Sequence, residues 1–537
     1  MPTALQVEHR YTQKYFFLLN EVIVIMNIAH YVERGHRLFP DKLALIFEDK
    51  TFTYKHLDEL AGQVANALKG LGVKKGDRVG LFLPNIPEFV ISYLGILKIG
   101  AIAVSINVML KTAEVSYILN DCAAKVIITT ESQSQQVSEA DLPQLEHILI
   151  AEGKAHKGTN LAQLIANAAP EAPAIEMDRH APACILYTSG TTGFPKGATL
   201  AHGNVITNSY AANRCYRISN SDRLLLYLPL FHCFGQNAIL NTGFSACATI
   251  ILQRRFDLES LLQNITEHQA TMFFGVPTVF IKMLNADIPQ DTFKSIRYYF
   301  SAAAPMPMEI AQKWHDKYDF CIHEGYGLTE TSPFATYNSD LKYKLGSIGT
   351  PIENVEIQIV DDCGDQVQPG ELGEILVRGP NVMLGYWNRP FETAEVIKNG
   401  WFHTGDIGRM DEDGFFYIVD RLKDMINLSG FKVYPTEVEN VIYQHPAVAE
   451  VAVYGVPDPV KGEIVNTNLV LKPGHKITAE EIIDFCYQKM AAYKVPHVIN
   501  FVEGLPKNPT GKVLKRVLRQ ESKPKLPNVY VETLGRK

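Results

Sequence analysis

No two of the eight cysteines are spaced as CxxC, so the chain offers no ligand pattern for a structural zinc and no disulfide framework. Cys122, Cys184, Cys215, Cys233, Cys247, Cys321, Cys363 and Cys486 are scattered, and read as small core residues of a protein in a reducing compartment. An excess of positive charge is also missing. Lys and Arg number 51 against 58 Asp and Glu, a formal net charge of −7, which removes nucleic acid from the expected partners. Any polyanionic ligand must instead be held locally, by individual lysines and backbone amides. Long apolar runs are absent as well. The strongest, at residues 15–26, is broken by Asn20 and Glu21 and is too short to span a bilayer. It reads as an extension over residues 1–25, with Met26 as the start of the folded chain. No internal repeat or low-complexity tract is present. These absences predict a cytoplasmic protein without a transmembrane segment. Peripheral membrane contact is compatible with them, but no basic amphipathic helix declares it.

What is present is an ordinary globular composition, 46% hydrophobic and 20% charged, spread over 537 residues. That length exceeds what one hydrophobic core supports, so at least two domains are expected. From about residue 41 the chain settles into an α/β rhythm. Strands are predicted over 43–47, 51–54, 78–83, 101–105 and 183–187, with helices over 55–71 and 88–99, which implies a largely parallel sheet. Residues 131–182 are polar and Ala/Gln/Glu-rich, with Pro143, Pro170 and Pro173, and read as a loosely packed connection. Short strands are predicted over 355–360, 373–378 and 415–419. A boundary is placed near Asp420, and the remainder is long enough for a small α+β domain. Its predicted elements are a helix over 435–445, strands over 449–456 and 465–471, and a helix over 479–490.

Four constellations carry chemistry. The run YTSGTTGFPKG at 187–197 has hydroxyls on Ser189, Thr191 and Thr192, turn-forming glycines at Gly190, Gly193 and Gly197, and a cation at Lys196. Such a loop, following a strand, can wrap phosphate with its amides. It lacks the GxxxxGK[ST] order of a Walker A loop. The run EGYGLTET at 324–331 sets Tyr326 between Gly325 and Gly327, presenting an aromatic face close to backbone. Thr329 supplies a hydroxyl and Glu330 a hard oxygen suited to Mg²⁺. At 402–406 (FHTGD), Asp406 follows a glycine turn and can accept ribose hydroxyls. At 508–515 (NPTGKVLK), Lys512 follows a Pro-Thr-Gly turn close to the C-terminus.

Together, in this order, these four runs resemble the adenylate-forming superfamily of acyl-CoA synthetases, aryl-CoA ligases, firefly luciferase and peptide-synthetase adenylation domains. The resemblance covers nearly the whole chain from Met26, and YTSGTTGFPKG is highly specific to it. It implies an α/β fold with a large multi-subdomain N-terminal domain of layered sheets and helices (26–420), and a small mobile α+β C-terminal domain (421–537). The implied activity is ATP-dependent adenylation of a carboxylic acid, followed by transfer of the acyl group to the thiol of CoA.

Carried over residue by residue, the resemblance assigns Thr188, Ser189, Gly190, Thr191, Thr192 and Lys196 to the phosphates. Ala303, Ala304, Glu324, Gly325, Tyr326 and Gly327 fall to the ATP/AMP site, with Tyr326 stacking on adenine, and Asp406 with Arg421 to the ribose. Thr329 contacts the α-phosphate, Glu330 holds Mg²⁺, and Lys512 bridges the substrate carboxylate and the α-phosphate. Lys423, in DRLKD at 420–424, sits at the hinge position about which the C-terminal domain turns between the two half-reactions. His232, Phe234, Gln236 and Gly325 line the acyl site; Arg255, Ser429 and Gly430 are the CoA candidates. Two departures stand out: Ala302 replaces a common glycine, and positions 427 and 429, lysines in some aryl-CoA ligases, are Asn and Ser.

The segment LPLFHCFGQNA at 228–238 contains no carboxylate to pair with an ammonium group, which disfavours amino acids as substrates. Readable pocket walls are apolar or small, and 426–437 (INLSGFKVYPTE) looks like bacterial medium- and long-chain fatty acyl-CoA ligases. A fatty acid is therefore the first expectation, through burial of methylenes at roughly 0.8 kcal/mol each. The alternatives are an aryl or other carboxylic acid, or an acyl carrier protein's pantetheine as acceptor. Oligomeric state is open between monomer and homodimer.

Overall fold

Short runs of β-branched residues alternating with helical repeats build two large sheets with parallel centres. The computed structural model describes residues 26–138, 141–188, 195–508 and 511–522; the extension at 1–25 lies outside them. The first sheet has nine strands, in the spatial order Thr350–Pro351, Phe334–Tyr337, Ile322–Gly327, Tyr298–Ser301, Met272–Gly275, Arg223–Leu226, Thr249–Leu252, Leu43–Phe47 and Lys50–Thr53. Its centre is parallel and its edges antiparallel. The second has eight strands, running Gly385–Tyr386, Lys196–Ala201, Pro182–Thr188, Ile102–Ser105, Arg78–Phe82, Val126–Thr130, His147–Glu152 and Thr159–Asn160. One continuous apolar cluster takes residues from both sheets. The helix Pro87–Lys98 is buried on every face, as a helix held between layers must be.

Two sequence expectations are corrected here. Tyr54 does not extend the preceding strand but opens the helix Tyr54–Gly70. Thr53 caps that helix, its hydroxyl accepting from the amide of His56 at 3.1 Å, and a Thr at the N-cap stops a strand while starting a helix. Residues 131–182 are not a loose connection. They form the helix Glu131–Ser138, two strands of the eight-stranded sheet and the helix Leu161–Ala166. Their polar composition reflects a position at the sheet edge. The same segment pins the start of the described chain: the Met26 amide donates to the Met177 carbonyl at 2.7 Å, and Asn27 Nδ2 to the Ile175 carbonyl at 2.9 Å. Lys98 closes this corner from below, with Nζ 2.6 Å from Glu33 Oε1, 2.9 Å from Asp58 Oδ1 and 2.9 Å from the Ala172 carbonyl.

A third sheet of five strands runs from Glu356–Val360 to Phe416–Arg421. The chain then makes a short turn, Leu422–Asp424, and forms a fourth sheet of five strands around the long pair Val448–Asp458 and Gly462–Leu471. This last sheet has its own apolar cluster, covered by the helices Pro435–Ile442 and Ala479–Tyr487. Both helices end about a turn earlier than their apolar repeat suggests. Of the cysteines, Cys122, Cys184, Cys233, Cys247 and Cys486 are buried, whereas Cys321 and Cys363 are exposed, which corrects their reading as core residues. Among the described residues no helix is long and apolar enough to cross a membrane.

Candidate active site

Cross-strand register explains the centre of the site. Asp406, on strand Trp401–Met410, lies opposite Arg421, on strand Phe416–Arg421, and this pairing brings Arg421 Nε to 3.0 Å from Asp406 Oδ1. The second oxygen, Oδ2, accepts from the Tyr326 hydroxyl at 2.7 Å. Tyr326 arrives on the strand Ile322–Gly327, and both of its glycine neighbours are required by close approach. A Cβ on Gly325 would lie 2.4 Å from the Phe300 ring, and one on Gly327 would lie 1.7 Å from the Pro333 carbonyl oxygen. The structure thus brings Tyr326, Asp406 and Arg421 together as an aromatic face, a buried carboxylate and a cation.

Just before Tyr326, Glu324 is buried. Its carboxyl is pushed up to about 8 by burial, against one hydrogen bond from the Met306 amide at 3.4 Å. At neutral pH it is a neutral acid. Met306 follows Ala303 and Ala304, and Ala303 is the residue of this turn in the left-handed region, with φ +71°. The departure from glycine noted at Ala302 therefore lies one residue before the position where the backbone needs glycine's freedom.

Thr329 and Glu330 form a single 3₁₀ turn, Thr329–Thr331. Glu330 is buried, and burial lifts its carboxyl above the ordinary range, opposed by hydrogen bonds that include the Tyr386 hydroxyl and by the nearby charge of Arg421. Tyr386 donates to Glu330 Oε1 at 3.0 Å. Among the described residues no group of three or more His, Cys, Asp or Glu could cage a metal. One buried carboxylate suits Mg²⁺, which keeps its waters and takes its remaining ligands from substrate phosphate.

Thr188 and Lys196 face each other where the strands Pro182–Thr188 and Lys196–Ala201 diverge. Ser189, Gly190, Thr191 and Thr192, the rest of the predicted phosphate contacts, lie outside the described residues.

Lys512 is partly buried in a tight loop in which its own amide donates to Asn508 Oδ1 at 2.8 Å. Burial and then the Arg421 charge lower its ammonium from 10.5 to about 8, with Asp406 and Asp424 pulling the other way. His232 is neutral over any working range, held down to about 4 by burial and by Lys512. Its Nδ1 accepts from the Phe234 amide at 3.2 Å, which leaves the proton of the neutral ring on Nε2 as a donor. The mutual influence of Arg421, Asp406, Lys512 and His232 puts all four in one electrostatic neighbourhood.

From His232 the chain runs into a buried π-helix, Phe234–Asn241, an arrangement that favours functional sites. Phe234 packs edge-on against Phe300, with ring centroids 6.1 Å apart, and Gln236 Oε1 accepts from Ser105 Oγ at 3.1 Å. Four candidates are not gathered here. Arg255 is exposed, and Ser429 and Gly430 form the exposed turn of a hairpin, both with positive φ. Lys423 is exposed on the turn Leu422–Asp424.

Sequence reasoning missed the segment 383–389. The Met383 amide donates to the Glu330 carbonyl at 2.8 Å, and the Trp387 amide donates to the Gly197 carbonyl at 2.7 Å. Asp121 ties the Tyr187 hydroxyl, at 2.7 Å, to the guanidinium of Arg389, at 2.5 Å. The segment therefore links the base of the phosphate loop to the turn that carries Glu330. Its signal was the polar-aromatic cluster Tyr386-Trp387-Asn388-Arg389, which is unlike an ordinary connecting loop.

The two charge shifts predict a pH profile. In the role that the resemblance implies for Lys512, adenylation uses its ammonium, and kcat/KM should then fall as pH rises through about 8. Glu324 also titrates near 8, and the variant Glu324→Gln tells the two apart, because its neutral amide removes one titration. The basic limb of pyrophosphate release should persist in Glu324→Gln and vanish in Lys512→Arg, whose guanidinium stays charged.

Comparison with known proteins agrees with this geometry. Residues 32–387 match the AMP-binding enzyme family, and residues 437–512 match the AMP-binding enzyme C-terminal domain. A long-chain-fatty-acid–CoA ligase of Bacillus subtilis is 37% identical over 517 residues, covering 90% of this chain and 92% of the relative. That of Escherichia coli O157:H7 is 35% identical over 532 residues, covering 92% and 94%. The crystal structure of the anthranilate CoA ligase AuaEII in complex with anthranoyl-AMP superimposes with a TM-score of 0.88 at 33% identity, covering 93% of this chain and 98% of that one. With both family models matched in chain order, the first spanning Tyr326 and Glu330 and the second reaching Lys512, this chain belongs to the AMP-binding enzyme family.

Proposed function

We propose that this chain is an ATP-dependent fatty acyl-CoA ligase. The observation that carries the reading is the convergence of a nucleotide cradle (Tyr326, Asp406, Arg421) with a partly buried lysine and a neutral histidine beside an aromatic wall. In the first half-reaction a carboxylate oxygen attacks the α-phosphorus of ATP, the bond to the bridging oxygen breaks, and pyrophosphate leaves. The acyl-adenylate turns oxide, an impossible leaving group, into a phosphate ester that departs easily.

Tyr326 stacks on adenine, and Asp406 accepts the ribose hydroxyls while Arg421 fixes its orientation. Lys512 places its ammonium between the incoming carboxylate and the α-phosphate, where charge accumulates on phosphorus. A fixed cation stabilises that transition state without solvent reorganisation. His232 Nε2–H donates to the same carboxylate and orients the attacking oxygen. Thr188 and Lys196 receive the departing phosphates. Bound at Glu330, Mg²⁺ would neutralise phosphate charge. In the second half-reaction the CoA sulfur attacks the acyl carbon and AMP leaves. Lys423 is the hinge that removes Lys512 and brings the hairpin bearing Ser429 and Gly430 inward.

A fatty acid is supported by the apolar, carboxylate-free segment 228–238 and by the two ligases of 35–37% identity. The test is pyrophosphate release with Mg-ATP across acetate to stearate, cinnamate, benzoate and several amino acids, each with and without CoA. A peak among long aliphatic acids that turns over only with CoA is the expected result. A peak at aryl acids would replace the substrate, adenylation without CoA-dependent turnover would point to a carrier protein, and silence throughout would refute the reading.

A further inference from the structure

We infer that Tyr386 is a positioning residue that holds the phosphate-loop cation and the metal-binding carboxylate apart, each occupied by a different part of one side chain. The inference rests on the reading above, because it concerns how the site receives a metal-nucleotide.

The geometry follows from strand pairing. Gly385–Tyr386 adds an antiparallel edge to the strand Lys196–Ala201, with Tyr386 opposite Ala198. Lys196 and Ala198 are two residues apart and so share a face of that strand. The Tyr386 ring therefore meets Lys196 as a diagonal cross-strand neighbour, and Lys196 Nζ sits 5.3 Å from the ring centroid, within cation–π range. At the far end of the same ring the hydroxyl donates to Glu330 Oε1 at 3.0 Å.

The backbone that carries the ring is fixed as well. The Tyr386 amide donates to Thr393 Oγ1 at 2.9 Å, and that hydroxyl donates to the Arg389 carbonyl at 2.7 Å.

Among the described residues Lys196 and Glu330 form no ion pair with each other, although one tyrosine touches both. This separation has a physical use. If the ammonium closed directly onto the carboxylate, each would neutralise the other, and both the phosphates and the metal would have to break that pair to bind. A tyrosine between them lends the lysine a weak aromatic partner and the carboxylate a neutral donor. The aromatic contact is easily exchanged for phosphate, while the hydroxyl stays on one oxygen of Glu330 and leaves the second for the cation.

The test uses the full chain with ATP, in calorimetric titrations run in EDTA and at increasing Mg²⁺. Wild type must first show Mg²⁺-enhanced ATP binding; its failure to do so would overturn the ligase reading as well. Given that binding, Tyr386→Phe keeps the ring beneath Lys196 and removes only the hydroxyl on Glu330. Its half-saturating Mg²⁺ concentration should rise about tenfold, the scale of a lost outer-sphere contact, with ATP affinity in EDTA and the melting temperature unchanged. Tyr386→Leu removes the ring as well, and should also weaken ATP in EDTA, as Lys196 moves onto Glu330. Unaltered Mg²⁺ dependence in Tyr386→Phe, or an equal loss with and without Mg²⁺, would overturn the inference. If Tyr386→Leu fails to fold, Tyr386→Phe decides alone.

Discussion

Replacing Lys512 by alanine should lower pyrophosphate release by about 100- to 1,000-fold, the usual consequence of removing one preorganised charge from a developing oxyanion. Binding of ATP should change little, because the proposed nucleotide cradle is Tyr326, Asp406 and Arg421, none of which depends on Lys512 for its hydrogen bonds. The energetic logic is visible in the charges around the lysine. Burial and the Arg421 charge disfavour the ammonium enough to bring it to about 8, despite the pull of Asp406 and Asp424, and among the described residues the ammonium closes no ion pair. Substrate carboxylate and α-phosphate supply the missing negative charge. The pKa should therefore rise when they bind, moving the basic limb of kcat above that of kcat/KM. The measurement is two-part: single-turnover adenylation, and CoA-dependent consumption of a separately supplied acyl-adenylate. The first should collapse in Lys512→Ala and the second should persist. Loss of both in equal measure would mean that Lys512 supports the fold of its loop and has no role in the first chemical step.

The parts of this site legible in the sequence are those whose chemistry is local. Tyr326 is marked by flanking glycines, and the structure shows why, with Phe300 and the Pro333 carbonyl occupying the space a Cβ would need. Asp406 and Arg421 could each be singled out, but their partnership depends on the register of two strands joined by a turn, which no single motif encodes. Tyr386 was not legible for the same reason in stronger form. Its role comes from an edge strand pairing with residues far earlier in the chain, and a two-residue strand carries no period to read. Residues 131–182 misled because edge elements are polar on their outer side, and the apolar signal that remained, Ile148-Leu149-Ile150, is short. The strands of the parallel centres were the most legible, being buried on both faces and so continuously apolar.

The docking of the Lys512 loop gives the second large effect. Gly511 has φ +81°, and a Cβ there would lie 2.8 Å from Thr278 Oγ1 and 3.3 Å from Val276 Cγ2, at the start of the helix Pro277–Leu284. The loop that delivers Lys512 thus rests directly against the large N-terminal part of the chain, backbone to side chain, with no room for a methyl group. Gly511→Ala meets two penalties at once. The left-handed conformation costs a non-glycine residue about 1–2 kcal/mol, and the contact with Thr278 forces a displacement. A combined cost of about 2 kcal/mol would depopulate the docked loop by roughly thirtyfold. Because the penalty includes a contact made only when the loop is docked, adenylation should fall by about that factor while conversion of supplied acyl-adenylate to thioester is spared. Thr278→Ala in the same chain removes the nearest clashing atom and should restore part of the rate, whereas the strain in φ remains. An equal loss in both half-reactions, unrelieved by Thr278→Ala, would show that the glycine serves folding of the loop and that the contact with Thr278 does not govern delivery of the lysine.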